Sequence, residues 1–297
     1  MKPRILLPLL IPLLVAVSHS SAQQTPDPKQ AELAAYAHFK ALTQVELKEL
    51  FSRARSGDAE AQYWMGCLYA DGQQICRENV EVLRLAPKAP EEVRIAHEEA
   101  ARWFMKSAEQ GYRLAQRVYG LMSVHTNPPV AERWMLSAAL QGDAETQFWL
   151  GRAYEHNWFG ATDAQESLKW YTMAAEGGDP DAQVALGQKY NDGEGIEQNY
   201  QLAAKWFRKA AQHVPNWTGA RQGKDRLGGL YMTGRGVPRD YVQAYFWFSL
   251  NGPEGHAPYA KTQLSAEQIE EMDRLVKEWK EEHRVSPEVA AALHIED

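Results

Sequence analysis

A stack of about five helical hairpins, an all-α solenoid closed by capping helices at both ends, is predicted for this 297-residue chain by three observations. Tryptophan recurs at Trp103, Trp134, Trp170, Trp206 and Trp247, at spacings of 31, 36, 36 and 41 residues. Glycine recurs at Gly66, Gly120, Gly151, Gly187 and Gly228, and Trp103, Trp134 and Trp170 each have the next of these glycines 17 residues on. Small residues keep the same register: Ala61, Ala115, Thr146, Ala182 and Gly223 stand five before each glycine, and Ala100, Ala131, Ser167, Ala203 and Ala244 three before each tryptophan. A period near 36 residues marks stacked supersecondary units, because one hairpin cannot bury its apolar face alone. The composition, 44% hydrophobic and 24% charged, is that of a globular chain. A net charge of −7 argues against a nucleic-acid binder, and two cysteines are too few for a disulfide scaffold.

Taken along the chain, residues 1–22 read as a cleavable signal peptide. Lys2 and Arg4 precede an apolar run over 5–17, and Ser20 and Ala22 stand at −3 and −1 ahead of Gln23. The run is shorter than the roughly 20 residues that span a bilayer. The mature chain is therefore expected in the periplasm or outside the cell, with no integral membrane segment. Residues 23–29 are expected to be disordered, and 30–56 to form N-terminal capping helices over 30–42 and 43–56.

The repeats occupy 57–252. In each, the first helix carries the small residue and the glycine. Gln62, Gln116, Gln147 and Gln183 follow the small residue in four of the five units. A tyrosine packs near the helix end at Tyr69, Tyr154, Tyr190 and Tyr231, and the turn is clearest at Gly193/Gly195 and Gly234/Gly236. Asn127, Asp163, Asn199 and Asp240, seven before a tryptophan, cap the second helix, and Gly111, Gly142 and Gly178, eight after one, stop it. The tryptophan stripe is expected as core. The first unit carries an insertion over 73–90. Over 253–297, Ser265 and Gln268 form a capping box ahead of a helix with Ile269, Met272, Val276 and Trp279 on one face. Pro287 opens a short last helix.

The run from Ala182 through Gly187, Tyr190, Gly193 and Gly195, continued by Asn199, Ala203, Trp206 and Ala211, resembles a Sel1-like repeat, a relative of the tetratricopeptide repeats. The resemblance covers about 57–252 and is most specific in the central units; the first two lack the Gly-x-Gly turn. It implies a right-handed α/α superhelical solenoid.

Catalytic patterns are not found. The His97-Glu98-Glu99-Ala100-Ala101 stretch lacks the second histidine of a zincin helix, no Gly-x-Ser-x-Gly elbow occurs, and the Gly-x-Gly pairs follow helices, not strands. No catalytic residue, cofactor or metal site is assigned. Cysteine-rich Sel1-like proteins linked to β-lactams carry a cysteine pair in each repeat, whereas this chain has one pair in total. In an oxidising compartment Cys67 and Cys76 are expected to form a disulfide, with two separate thiols as the alternative. In hairpin solenoids the first helices line the concave face. Tyr63, Trp64, Arg117, Phe148, Trp149, Arg152, Gln188 and Arg226 occupy the variable positions there and are the expected partner-binding residues, with packing between helices as the competing role for the aromatics. Trp158 and Trp217, outside the repeat register, are the next candidates.

The function expected is an extracytoplasmic interaction scaffold or adaptor that binds a protein or peptide through the concave face. The alternative is a cell-envelope enzyme or regulator acting on peptidoglycan or β-lactams. The sequence assigns no oligomeric state.

Overall fold

The computed structural model describes residues 44–70, 90–213, 218–252 and 255–282. Among them lie thirteen helices and no strand. A capping helix α1 (Gln44–Arg55) leads into five hairpins: α2 (Ala59–Tyr69) with α3 (Pro90–Glu109), α4 (Arg113–Ser123) with α5 (Pro128–Leu140), α6 (Ala144–Glu155) with α7 (Ala164–Glu176), α8 (Pro180–Asp192) with α9 (Tyr200–Ala211), and α10 (Thr218–Thr233) with α11 (Tyr241–Ser249). A short α12 (Ala257–Lys261) and a longer α13 (Ala266–Glu282) pack on α11 and close the stack. The all-α solenoid of five hairpins is as expected. Two expected helices, over 30–42 and from Pro287, lie outside the described residues, as does nearly all of the 73–90 insertion. α3 begins at Pro90, six residues before the register position Ala96, because proline suits a first helical turn that needs no N–H.

Local chemistry sets the helix boundaries. Asn127, Asp163, Asn199 and Asp240 each accept a backbone N–H two or three residues ahead, at 2.9–3.4 Å. Second helices end at Gly111, Gly142 and Gly178, with φ of 84–93°. An aspartate follows two of these glycines: Asp143 and Asp179 cap α6 and α8 through Thr146 and Ala182 N–H, at 2.8 and 2.7 Å. The capping box of α13 closes from both sides, Gln268 Oε1 accepting from Ser265 N–H at 2.9 Å and Ser265 Oγ from Gln268 N–H at 3.2 Å.

Within each hairpin the register glycine receives a large side chain, and that side chain is not the tryptophan. A Cβ at Gly66, Gly120, Gly151, Gly187 or Gly228 would stand 2.5–2.8 Å from Phe104, Met135, Tyr171, Phe207 or Phe248, the residue after each tryptophan. These five are at most 2% exposed. The expected tryptophan core holds at four of the five positions. Trp134, Trp170, Trp206 and Trp247 are buried but Trp103 only half so. Cations lie over four of the five rings: Lys106 on Trp103, Arg133 on Trp134, Lys169 on Trp170 and Lys209 on Trp206, at 4.4–5.2 Å. The tryptophans seal the edge of a core whose centre is the glycine contact.

The repeated glutamines join one hairpin to the previous one. Nε2 of Gln62, Gln116, Gln147 and Gln183 donates to the carbonyl of Ala54, Ala108, Ala139 and Ala175 at 2.9–3.2 Å. Each carbonyl lies in the last turn of the preceding helix, outside its i to i+4 ladder, and also accepts the N–H of Gly57, Gly111, Gly142 or Gly178 at 2.9–3.3 Å, so the glutamine supplies a second donor. Gln110 and Gln141 then donate to the Oε1 of Gln62 and Gln116, both at 2.7 Å.

Candidate functional site

The expected partner-binding residues divide by their place in the stack. Tyr63 and Trp64 are buried; the Tyr63 ring lies 5.0 Å from Trp64, 5.8 Å from Phe104 and 5.4 Å from Tyr112 of the next hairpin. Arg117 is buried too, its Nη1 3.0 Å from Glu145 Oε2 and 3.5 Å from Asp143 Oδ2. These three are corrected from surface to core. Tyr63 and Arg117, three positions before the glycine, reach Tyr112 and Asp143 with Glu145 at the start of the next hairpin and are enclosed there, whereas Phe148 at the same position is half-buried. In the fifth unit no further hairpin follows, and Asp225 and Arg226 are exposed.

The middle of the stack gathers Trp149, Arg152 and Trp158. The two indoles stack at 6.0 Å and 28°, and the Arg152 guanidinium lies 5.3 Å from the Trp149 ring and 5.9 Å from Trp158. Phe148 adjoins Trp149 at 5.4 Å and Tyr171 at 5.8 Å. All four candidates here are half-buried, so packing has not consumed them. Trp217 lies outside the described residues. Beside this group Glu155 accepts from Lys189 Nζ at 2.6 Å and from the Tyr171 hydroxyl at 2.8 Å. Burial alone would raise the Glu155 carboxyl, but the bonds from Lys189 and Tyr171 outweigh it and hold it below the ordinary 4.5. Tyr171 is pushed up, first by burial and then by its bond to Glu155.

Gln188 and Arg226 line one cleft of about 520 Å³ between α8 and α10, together with Asp225, Gly229, Arg235 and His256. The volume lies within the range of ligand sites.

Lys224 holds the register position that is glutamine in the other four units. It is 1% exposed, with its ammonium 4.6 Å from the Trp279 ring of α13. Burial, reinforced by Lys280 and Arg221, pulls its pKa from 10.5 down to about 8. The break in the glutamine column was the signal in the sequence.

Cys67 is buried in the first hairpin. Its expected partner Cys76 lies outside the described residues. No group of three or more His, Cys, Asp or Glu is placed to hold a metal ion among the described residues, and none of their helices is long and apolar enough to cross a membrane.

The family model described as Sel1 repeat matches residues 59–81, 96–112, 112–143, 144–179, 180–213 and 225–250, more than half of the chain. The first two segments are the halves of the first hairpin, divided by the insertion. A crystal structure of a protective antigen of uropathogenic Escherichia coli strains with an SLR fold is similar at a TM-score of 0.62 and 26% identity, over 84% of this chain and 50% of the antigen. The chain thus spans about half the length of that antigen. A Sel1 repeat protein from Oxalobacter formigenes is similar at 0.57 and 22% identity, over 85% of this chain and 99% of that one. Among curated proteins none matches.

Proposed function

The chain belongs to the Sel1 repeat family, and from that premise we propose that it is an extracytoplasmic scaffold holding a protein or peptide partner on the concave face formed by its first helices. Sel1 repeat proteins generally mediate protein–protein interaction, and their fold is typically a non-catalytic scaffold. The observation that carries the reading is the half-buried Trp149–Arg152–Trp158 stack. Tryptophan and arginine dominate interface hot spots, because each offers a large contact area together with a directed polar group. The basic start, short apolar run and small-residue cleavage pattern of residues 1–22 support export.

Two measurements test this. Mass spectrometry of the protein from the envelope fraction is expected to find a mature start at Gln23; an intact Met1 end refutes the export reading. Partner capture by the combined Trp149→Ala and Arg152→Ala variant is expected to fall at least tenfold; unchanged capture of every partner refutes this part of the face.

A further inference from the structure

Helix α10 carries four glycines, and packing accounts for three. A Cβ would stand 2.5 Å from Asp181 N at Gly219, 2.7 Å from Ala210 Cβ at Gly223 and 2.8 Å from Phe248 Cε1 at Gly228. At Gly229 it would meet nothing within 4 Å, and the backbone there is ordinary helix with no positive φ. Glycine in a helix interior is destabilising, since it restricts the unfolded chain least. Neither a neighbour nor a turn requires it here.

Its effect is on the surface. Gln222, Arg226, Gly229 and Thr233 follow at spacings of four, three and four, one stripe of α10, and all four line the cleft against α8. The missing side chain leaves the centre of that stripe bare. The charge around it is opposite to that of the protein. Arg226 and Arg235 line the cleft with His256, and the one acidic lining residue, Asp225, accepts from Asn251 Nδ2 at 2.9 Å. Among the described residues Arg226 and Arg235 make no ion pair.

We infer that this cleft is the seat of an acidic peptide segment, whose main chain lies over Gly229 while its carboxylates pair with Arg226 and Arg235. Arginine binds carboxylate through two parallel N–H donors, and an uncovered glycine admits a backbone where any side chain would hold it off. The inference rests on the partner-binding face proposed above and names the chemistry of its occupant.

Selection of phage-displayed random nonapeptides on the purified full-length chain tests it. Binders are expected to be enriched at least twofold in Asp and Glu over the input. That enrichment should vanish on the Arg226→Ala, Arg235→Ala double variant. Gly229→Leu should weaken the selected peptides at least tenfold, while Gly229→Ala melts no lower than the wild type and so shows that the helix tolerates the position. Binders without acidic bias, a bias that survives the arginine substitutions, or no enrichment at all overturns the inference. The wider reading fails by a different result, the loss of all partner crosslinks from the first-helix face.

Discussion

Replacing Lys224 with glutamine, the residue at the same place in four other hairpins, should stabilise the protein and change how its stability depends on pH. The lysine is 1% exposed, and its pKa falls from 10.5 to about 8. At about 1.4 kcal/mol per unit, the charged form is disfavoured in the folded state by about 3 kcal/mol. Below about pH 8 both folded and unfolded chains carry the proton, and the whole penalty applies. Between about pH 8 and 10.5 only the unfolded chain is protonated, so wild-type stability rises with pH. Lys224→Gln also loses the contact of the ammonium with Trp279, about 1–2 kcal/mol for a desolvated cation over an indole. A net gain of about 1–2 kcal/mol is therefore expected near pH 7. The gap between variant and wild type should then move by about 3 kcal/mol in favour of the wild type as the pH rises to 10.5. Urea denaturation of both proteins across this range measures the gap, and the titrations of other groups cancel in the difference. A gap constant over the whole range would mean that Lys224 is hydrated, and would refute the reasoning.

Three further outcomes are expected. Gly187→Ala, whose Cβ would stand 2.7 Å from Phe207 Cε1, should lower stability by about 1–2 kcal/mol net of improved helix propensity, whereas Gly229→Ala should raise it by up to about 1 kcal/mol; urea midpoints separate them, and a stabilising Gly187→Ala would contradict the glycine contact. Gln147→Leu removes one of the two donors to the Ala139 carbonyl and should reduce stability by about 0.5–1.5 kcal/mol, read from the same melts; no loss would remove the glutamines' structural role. Because the Glu155 carboxyl is held below 4.5 when folded, its pairing stabilises the protein above that pH and is lost as pH falls through the folded value. Lys189→Met should thus be the less stable protein at neutral pH and approach the wild type in acid; a difference independent of pH would contradict the pairing.

The helix boundaries were legible because capping is local: Asn127, Asp163, Asn199 and Asp240 bond to N–H groups two or three residues ahead. The depth of the core was not. Tryptophan is the letter that recurs, yet the more deeply buried place beside it accepts Phe, Met or Tyr, so recurrence and burial point to neighbouring residues. The glutamine column was visible but its purpose was not, since each side chain bonds a carbonyl on the far side of a helix stop. At the candidate site, the register puts Trp149 and Arg152 on one helix, and both are half-buried there. Their stacking with Trp158 depends on how the loop after α6 folds back, which spacing does not encode. The burial of Tyr63, Trp64 and Arg117 depends on which residues meet them, Tyr112 over Tyr63 and Asp143 with Glu145 on Arg117, and the repeat register does not encode those partners.

The central claim, that the first helices form a partner-binding face, is tested most directly by site-specific photocrosslinking in intact cells. A photoreactive residue at Arg152 or Arg226 is expected to give a discrete adduct with one partner protein, and the same residue at the exposed second-helix positions Leu140 and Lys205 none. Adducts from Leu140 and Lys205 alone, or equal adducts from all four positions, would contradict the account.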